Sequence, residues 1–566
     1  MALLATAIYL LTMDRSASWW DCGEFISTSW LLEVGHPPGA PFYQLVAHCL
    51  MLLSFGNPLL VAPLSNALSA VCGGITVGLL YLTILELNTK QQLSHPTATR
   101  IGAAVGGLCY LFCDTAWFSA VESEVYAMAM LFCSLDVWLM LRWRRTANAR
   151  ILPLVALLLG LGVCVHLMTL LVLPALLLVY VLGAKRQWLH GLLHVLPLAL
   201  AMFLVGLTPY AIIPIRAAAN PPINEGNPAT VANFRRYLQR EQYAKAPLYP
   251  RMWRERDAAN WREWTLGTDG VVGNVVYYFG YQLTYMYGRY LMYNFIGREN
   301  LKWHFVVLFI LPALLACYGL WRHRRRDRGA YWVAMLLFLF GGIVLNFYLN
   351  HPCYEPRERD YAYVLSFYAV AAWIGIGAAE LVAAWKSRWH LLVFLAPLLM
   401  AVGNWSDHDR HDCHSVHDIA VAHLQSCEHD AILVTLGDND TFPLWYLQQV
   451  EGIRTDIDIY NINLTGFGRT LGLMNHPDEG RPVYVSYYFY QRYADYFPGR
   501  LRCEGYCWRL LRSPADGDVD DPEPLRRHLS DSISFHITPH EYLPRVSRRF
   551  LEVGDTYWAT ASGVSR

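Results

Sequence analysis

Asp21 and Glu24 lie three residues apart within Trp19–Pro41, WWDCGEFISTSWLLEVGHPPGAP, so a helix would carry both on one face. Carboxylates in that position can accept a proton from a hydroxyl or orient a polar ligand. Trp19, Trp20, Phe25 and Trp30 surround them, as expected where a membrane helix meets water. The run then breaks into a Pro/Gly loop carrying His36. Acidic groups at a membrane surface are costly and usually functional, so the stretch reads as an active-site loop. The plainer alternative is that both acids only cap and solvate a helix start.

Other polar residues fall on the same side of the chain's apolar segments. Ser119–Tyr126 brings Glu122 and Glu124, and His166 marks the tip of an apolar hairpin. Arg216 stands at a helix exit before AAANPP, and Arg357, Glu358, Arg359 and Asp360 crowd a fourth loop. Carboxylates and arginines above a lipid-facing cavity suit an anionic, lipid-linked substrate. Departure of a polyprenyl phosphate needs no obligatory general acid. It needs one carboxylate for the acceptor's proton and cations for the phosphate, a task that suits arginine's planar fork. Each residue also has a plainer reading. Glu122 and Glu124 fit a hairpin turn, the Arg357–Asp360 charges a stapled loop, Arg216 a snorkelling anchor, and His36 and His166 ordinary hydrogen bonding.

These residues need a membrane scaffold. Hydrophobic residues make up 55% and charged residues 16%, which leaves much of the chain for spanning runs. The formal net charge of +0 gives no sign of nucleic-acid binding. Apolar stretches fall at 1–13, 58–86, 101–118, 125–141, 151–165, 167–184, 191–214, 301–321, 330–349, 362–385 and 390–405. That predicts about 11 transmembrane helices. Lys90/Arg100, Arg142–Arg150, Lys185/Arg186, Arg322–Arg328 and Lys386/Arg388 then share one side, the cytoplasmic one by the positive-inside rule. The loops with Asp21, Glu122, Arg216 and Arg357, and everything after 406, fall on the other. Met1–Met13 is short for a span, so either the start lies upstream or the first helix is abbreviated. It has neither the charged n-region nor the small-residue cleavage site of a signal peptide. Cysteines within apolar runs behave as small hydrophobes, and Cys503 and Cys507 could pair if that part is extracytoplasmic.

Several longer pieces carry a resemblance: WDCGEFI (20–26), GHPPGAPFYQL (35–45), AVESEVYA (120–127), IPIRAAANPPINE (213–225), REQY (240–243), EPRERDYAYV (355–364), NWSDHDR (404–410) and GDNDTFPLWYLQQVEGIRTD (437–456). With them the chain resembles the bacterial relatives of the eukaryotic transmembrane protein O-mannosyltransferase. The resemblance implies a GT-C-type glycosyltransferase that uses a polyprenyl-phosphate sugar at the extracytoplasmic face. In such enzymes the first outer loop carries the catalytic acid, here Asp21 by position, with Glu24 as its alternate. The match fades after about Asn463, and the extra C-terminal repeats of longer members are not found.

After residue 406 the pattern changes. Ala431–Leu436 and Ile457–Ile462 read as strands around a Gly437–Pro443 turn and a Leu444–Val450 helix, with Pro443 at the first helical position. Asp438-Asn439-Asp440 looks like a metal and nucleotide-sugar motif, yet its extracytoplasmic place favours a structural turn or acceptor contact. His408, His411, His414 and His417, spaced by three, look like a zinc site without a fixed partner.

The expectation is a mainly α, polytopic membrane protein with a GT-C-like core over 1–405 and a small extracytoplasmic α/β domain over 406–566. Its activity would be transfer of a hexose, mannose foremost, from a polyprenyl phosphate to Ser/Thr hydroxyls of exported proteins by single displacement. Asp21 would be the base, with Glu24 as alternate. Arg357, Arg359 and Arg216 would meet the phosphate, and His36, Glu122, Glu124 and His166 would line the substrate. The scheme requires no metal. Competing readings are a lipid or cell-wall glycan as acceptor, or a lipid-linked-sugar transporter. The latter would place acids mid-helix and show a repeat.

Overall fold

The computed structural model describes residues 1–184, 188–243, 245–253, 258–296, 306–353, 357–385, 387–475 and 480–511. Lys185, Arg186, Lys386, Glu355 and the C-terminal segment from 512 lie outside the described residues.

Helices dominate, as the apolar runs require. Among the described residues seven helices are long and apolar enough to cross a membrane, or eight counting a pair bent by 66°. They include Pro58–Leu87, Val125–Thr146, Leu193–Ala218, Asp360–Ala384 and Trp389–His408, and the bent pair is Pro96–Leu111 with Asp114–Ala120. The expected count of about 11 differs because it included the short helices Ala2–Thr12 and Ile151–Val163, and Val306–Arg326, which begins beside undescribed residues. An α-helix rises 1.5 Å per residue, so 11 to 13 residues fall short of a full span.

Small residues let the central helices approach. On Asp360–Ala384, a Cβ added at Gly375 would sit 2.8 Å from the Gly102 carbonyl of Pro96–Leu111. Gly377 of the same helix abuts Leu315 of Val306–Arg326. Backbones that close pack without side chains between them, the usual way helices associate where lipid gives no hydrophobic drive.

The C-terminal part builds a five-stranded sheet from β1 (Ile432–Thr435), β2 (Asp458–Asn461), β3 (Val483–Val485), β4 (Leu501–Glu504) and β5 (Cys507–Leu510). The order is β2-β1-β3-β5-β4, with β1 parallel to both β2 and β3, and β5 antiparallel to both β3 and β4. The expected β-α-β unit is therefore present, but its helix starts at Asp438 and not at Pro443. Gly437, at φ 87°, turns the chain there, and Asp440 Oδ2 accepts the Leu436 N–H at 2.8 Å. The Cys503–Cys507 pairing does not fit this sheet. Glu504 is directly opposite Cys507, so Cys503 points to the other face. Cys507 and Cys427 instead both donate to the His423 carbonyl.

Candidate active site

Helix Cys22–Leu31 presents the first acids. Trp20, just before it, has φ 65°, which an aromatic side chain rarely adopts. Its N–H donates to Asn439 Oδ1 at 2.6 Å, so the C-terminal part holds the strained residue in place. Gly23 leaves room for this docking: a Cβ there would lie 2.6 Å from the Phe442 carbonyl oxygen of helix Asp438–Tyr446. Asp21 ends up 23% exposed and Glu24 1% exposed.

Glu24 is bound to His36. Its Oε1 accepts the His36 backbone N–H at 2.5 Å, and its Oε2 lies 2.6 Å from His36 Nδ1. Burial works against a charged ring, but the Glu24 carboxylate outweighs it and raises the His36 pKa well above its ordinary value. Asp21, Glu24 and His36 each offer a ligand atom, and those atoms lie within 4.8 Å of one another.

Arg357 stands on the other side of Asp21. Its guanidinium lies 3.6 Å from Asp21, 3.2 Å from Glu124 and 4.0 Å from Glu122, over the rings of Trp20 and Tyr361. Burial pushes the Glu124 carboxyl up to about 8 although Arg357 opposes it. Glu122 also receives Arg410 Nη1 at 2.8 Å and the Ser18 hydroxyl at 2.7 Å.

The remaining sequence candidates have partners of their own. His166 accepts the Met168 N–H at 3.2 Å through Nδ1, and burial depresses its pKa to about 4, so it is a neutral acceptor. Arg359 reaches the Tyr361 hydroxyl at 2.5 Å. Arg216 is engaged elsewhere, with the Leu31 and Leu32 carbonyls that end helix Cys22–Leu31. The histidines at 408, 411 and 417 do not converge. His408 bonds Asn404 and Asp114, His411 bonds Asp409, and His417 bonds Asp418 and Glu451.

Two acids join the site that the sequence reading did not assign to it. Burial, with the charges of Asp21 and Glu24 nearby, raises the Asp438 carboxyl to about 6. Glu225 is placed by a strand-like exchange in which Val34 N–H donates to Ile223 and Glu225 N–H donates to Val34, both at 3.0 Å. Burial and Glu24 raise its pKa well above the ordinary value. Their signal was within the motifs GDND and PPINE, but no spacing rule links positions about 200 residues apart.

Comparison with known proteins gives two family-model matches. The model for the protein O-mannosyl-transferase TMEM260 N-terminal domain matches residues 21–189, and TMEM260-associated domain 2 matches 416–468. Mouse protein O-mannosyl-transferase TMEM260 is 24% identical over 472 residues, covering 80% of this chain and 60% of the mouse protein. The Dictyostelium discoideum counterpart is 23% identical over 504 residues, covering 81% of this chain and 56% of that protein. The chain thus spans less than two thirds of the length of these curated relatives. Among solved structures, an Archaeoglobus fulgidus oligosaccharyltransferase in complex with Zn and sulfate aligns with TM-score 0.49 at 10% identity, over 87% of this chain and 69% of that one. Apo ArnT from Cupriavidus metallidurans aligns with TM-score 0.40 at 14% identity, over 91% and 98%. The resemblance first read from short motifs is borne out: the chain is similar to the TMEM260 protein O-mannosyl-transferases, and Asp21, Glu24, His36, Glu122, Glu124, His166 and Asp438 all fall within the matched residues.

Proposed function

We propose that this chain is a GT-C-type membrane glycosyltransferase. It moves a hexose, mannose foremost, from a polyprenyl phosphate to Ser/Thr hydroxyls of exported proteins at the extracytoplasmic face of a bacterial inner membrane. The supporting observation is the setting of Asp21. It is a partly exposed carboxylate between buried Glu24, paired with His36, and the Arg357 guanidinium, 3.6 Å away. The names of the relatives supply the sugar and the acceptor class.

In this reading Asp21 takes the acceptor hydroxyl's proton as the oxygen attacks the sugar carbon and the phosphate leaves. Glu24 is held by His36 and orients the loop, with Glu24 the alternate base. Arg357 and Arg359 face the departing phosphate, a charge that a rigid planar donor stabilises well. Arg216 holds the far, C-terminal end of the helix whose start carries Asp21. Glu122, Glu124 and His166 shape the walls, and Asp438 and Glu225 border the acceptor side.

The test is transfer of radiolabel from polyprenyl-phosphate mannose to protein in membranes containing the wild type, Asp21→Asn or Glu24→Gln. A loss of about two or more orders of magnitude with Asp21→Asn at normal expression supports the assignment. Loss confined to Glu24→Gln moves the base one helical turn along. Full transfer by both variants refutes the site, and label found in lipid or glycan in place of protein refutes the acceptor.

A further inference from the structure

The backbone leading to Asp21 is anchored from two distant parts of the chain. Up to Ser18 the partners belong to the membrane part. The Asp14 N–H donates to the Val121 carbonyl at 2.9 Å, Asn66 Nδ2 donates to the Asp14 and Ser16 carbonyls, and the Ser18 hydroxyl donates to Glu122. At Trp20 the partner changes. Its N–H donates to Asn439 Oδ1 at 2.6 Å, from a residue 419 positions away in sequence.

Trp20 also has φ 65°, a left-handed value at which a Cβ crowds the backbone, so the residue relaxes to negative φ unless a contact holds it. The dihedrals of residue 20 set the direction in which residue 21 leaves, and Asp21 therefore inherits this conformation. The same conformation places the Trp20 ring 5.2 Å from the Arg357 guanidinium, which lies 3.6 Å from Asp21.

Asn439 is well placed to impose it, because the turn around it is tied down. Asp440 accepts the Leu436 N–H and the Ser486 hydroxyl, while the Thr441 hydroxyl donates to the Gly437 carbonyl and accepts from Asn461 Nδ2. Gly23 admits this helix against the acid loop, since a Cβ there would lie 2.6 Å from the Phe442 carbonyl oxygen.

We infer that Asn439 is a positioning residue for Asp21. By holding Trp20 left-handed, the C-terminal part completes the acid loop, and catalysis depends on that docking. Asn439 acts through the backbone and needs no contact with substrate. The inference rests on the assignment of Asp21 as the base.

The experiment uses the full-length protein in detergent micelles, with two readouts. Asn439→Ala should speed backbone amide hydrogen exchange across Trp19–Phe25 by about tenfold or more, with thermal unfolding near that of the wild type. In transfer from polyprenyl-phosphate mannose its kcat should fall by about tenfold or more, with KM for the donor within about threefold. Gly23→Ala, which wedges the same helix away, should reproduce both effects and serves if Asn439→Ala proves unstable. Glycine adopts positive φ freely, so in a Trp20→Gly background Asn439→Ala should cost less than about threefold in kcat. Unchanged exchange or unchanged kcat in folded Asn439→Ala, or an equal loss in the Trp20→Gly background, overturns the inference. Wild-type protein that transfers no label refutes the transferase reading, and the exchange comparison then decides the positioning by itself.

Discussion

At the residue scale, the site depends on how Glu24 is held. Both of its oxygens contact His36, and Gly35 packs directly against it: a Cβ at Gly35 would stand 2.5 Å from Glu24 Oε1. A methyl group there cannot be absorbed by swinging the carboxylate aside without breaking its bond to the His36 N–H. Gly35→Ala should therefore lower transfer at least tenfold and destabilise the protein by about 1–3 kcal/mol, the usual range for overpacking. The two effects are read by radiolabel transfer and thermal unfolding. Asp21 and Glu24 were legible in the sequence because acids among interfacial aromatics are rare. Arg216 was named for phosphate from its helix-exit position, whereas its guanidinium meets the Leu31 and Leu32 carbonyls. Position along a chain does not determine where a long flexible side chain ends.

Among the elements, the helix Asp438–Tyr446 and its neighbours decide how the C-terminal part sits on the membrane part. Helix Ser415–Ser426 is tied to the Leu447–Glu451 turn by His417, whose Nε2 lies 2.9 Å from Glu451. Hydrogen bonds to Asp418 and Glu451 raise the His417 pKa from 6.5 to about 9. Its folded-state pKa is thus above the unfolded one, so this tie is fully present below about pH 6.5 and is lost as the pH rises through about 9. Other groups titrate in the same window, so the comparison is between two profiles. The wild type should lose more thermal stability between pH 7 and 9.5 than His417→Gln, whose side chain carries no titrating charge. Identical slopes would mean the bond contributes nothing. The β-α-β pattern was readable from alternation and turn chemistry, and only its helix start was misplaced, because Asp440 is held by the distant Ser486 hydroxyl as well as by the Leu436 N–H.

Across the whole molecule, one residue joins the distant parts of the chain. Arg410 contacts Glu122 at 2.8 Å and Asp14 at 3.7 Å, and its N–H donates to the Thr12 carbonyl at 2.9 Å. Arg410→Ala would remove the cation nearest to the buried Asp14 and Glu122, leaving Glu122 only the Arg357 guanidinium at 4.0 Å, and breaking such a group costs about 3–5 kcal/mol. A lower melting temperature with impaired transfer, measured on purified protein, is the expected result. Unchanged values would show that the C-terminal part is held by other contacts. By itself the sequence determined the membrane class, most helices, the β-α-β unit and the first acidic loop, because hydropathy, periodicity and turn residues act over short stretches. Tertiary structure alone decided that Asp438 and Glu225 come near enough to feel the charges of Asp21, Glu24 and His36, that Arg357 is shared among three acids, and that His408, His411 and His417 take separate partners. The physical reason is range: those meetings depend on helix crossings set by glycine contacts and on a loop exchange at Val34, which bring together positions hundreds of residues apart.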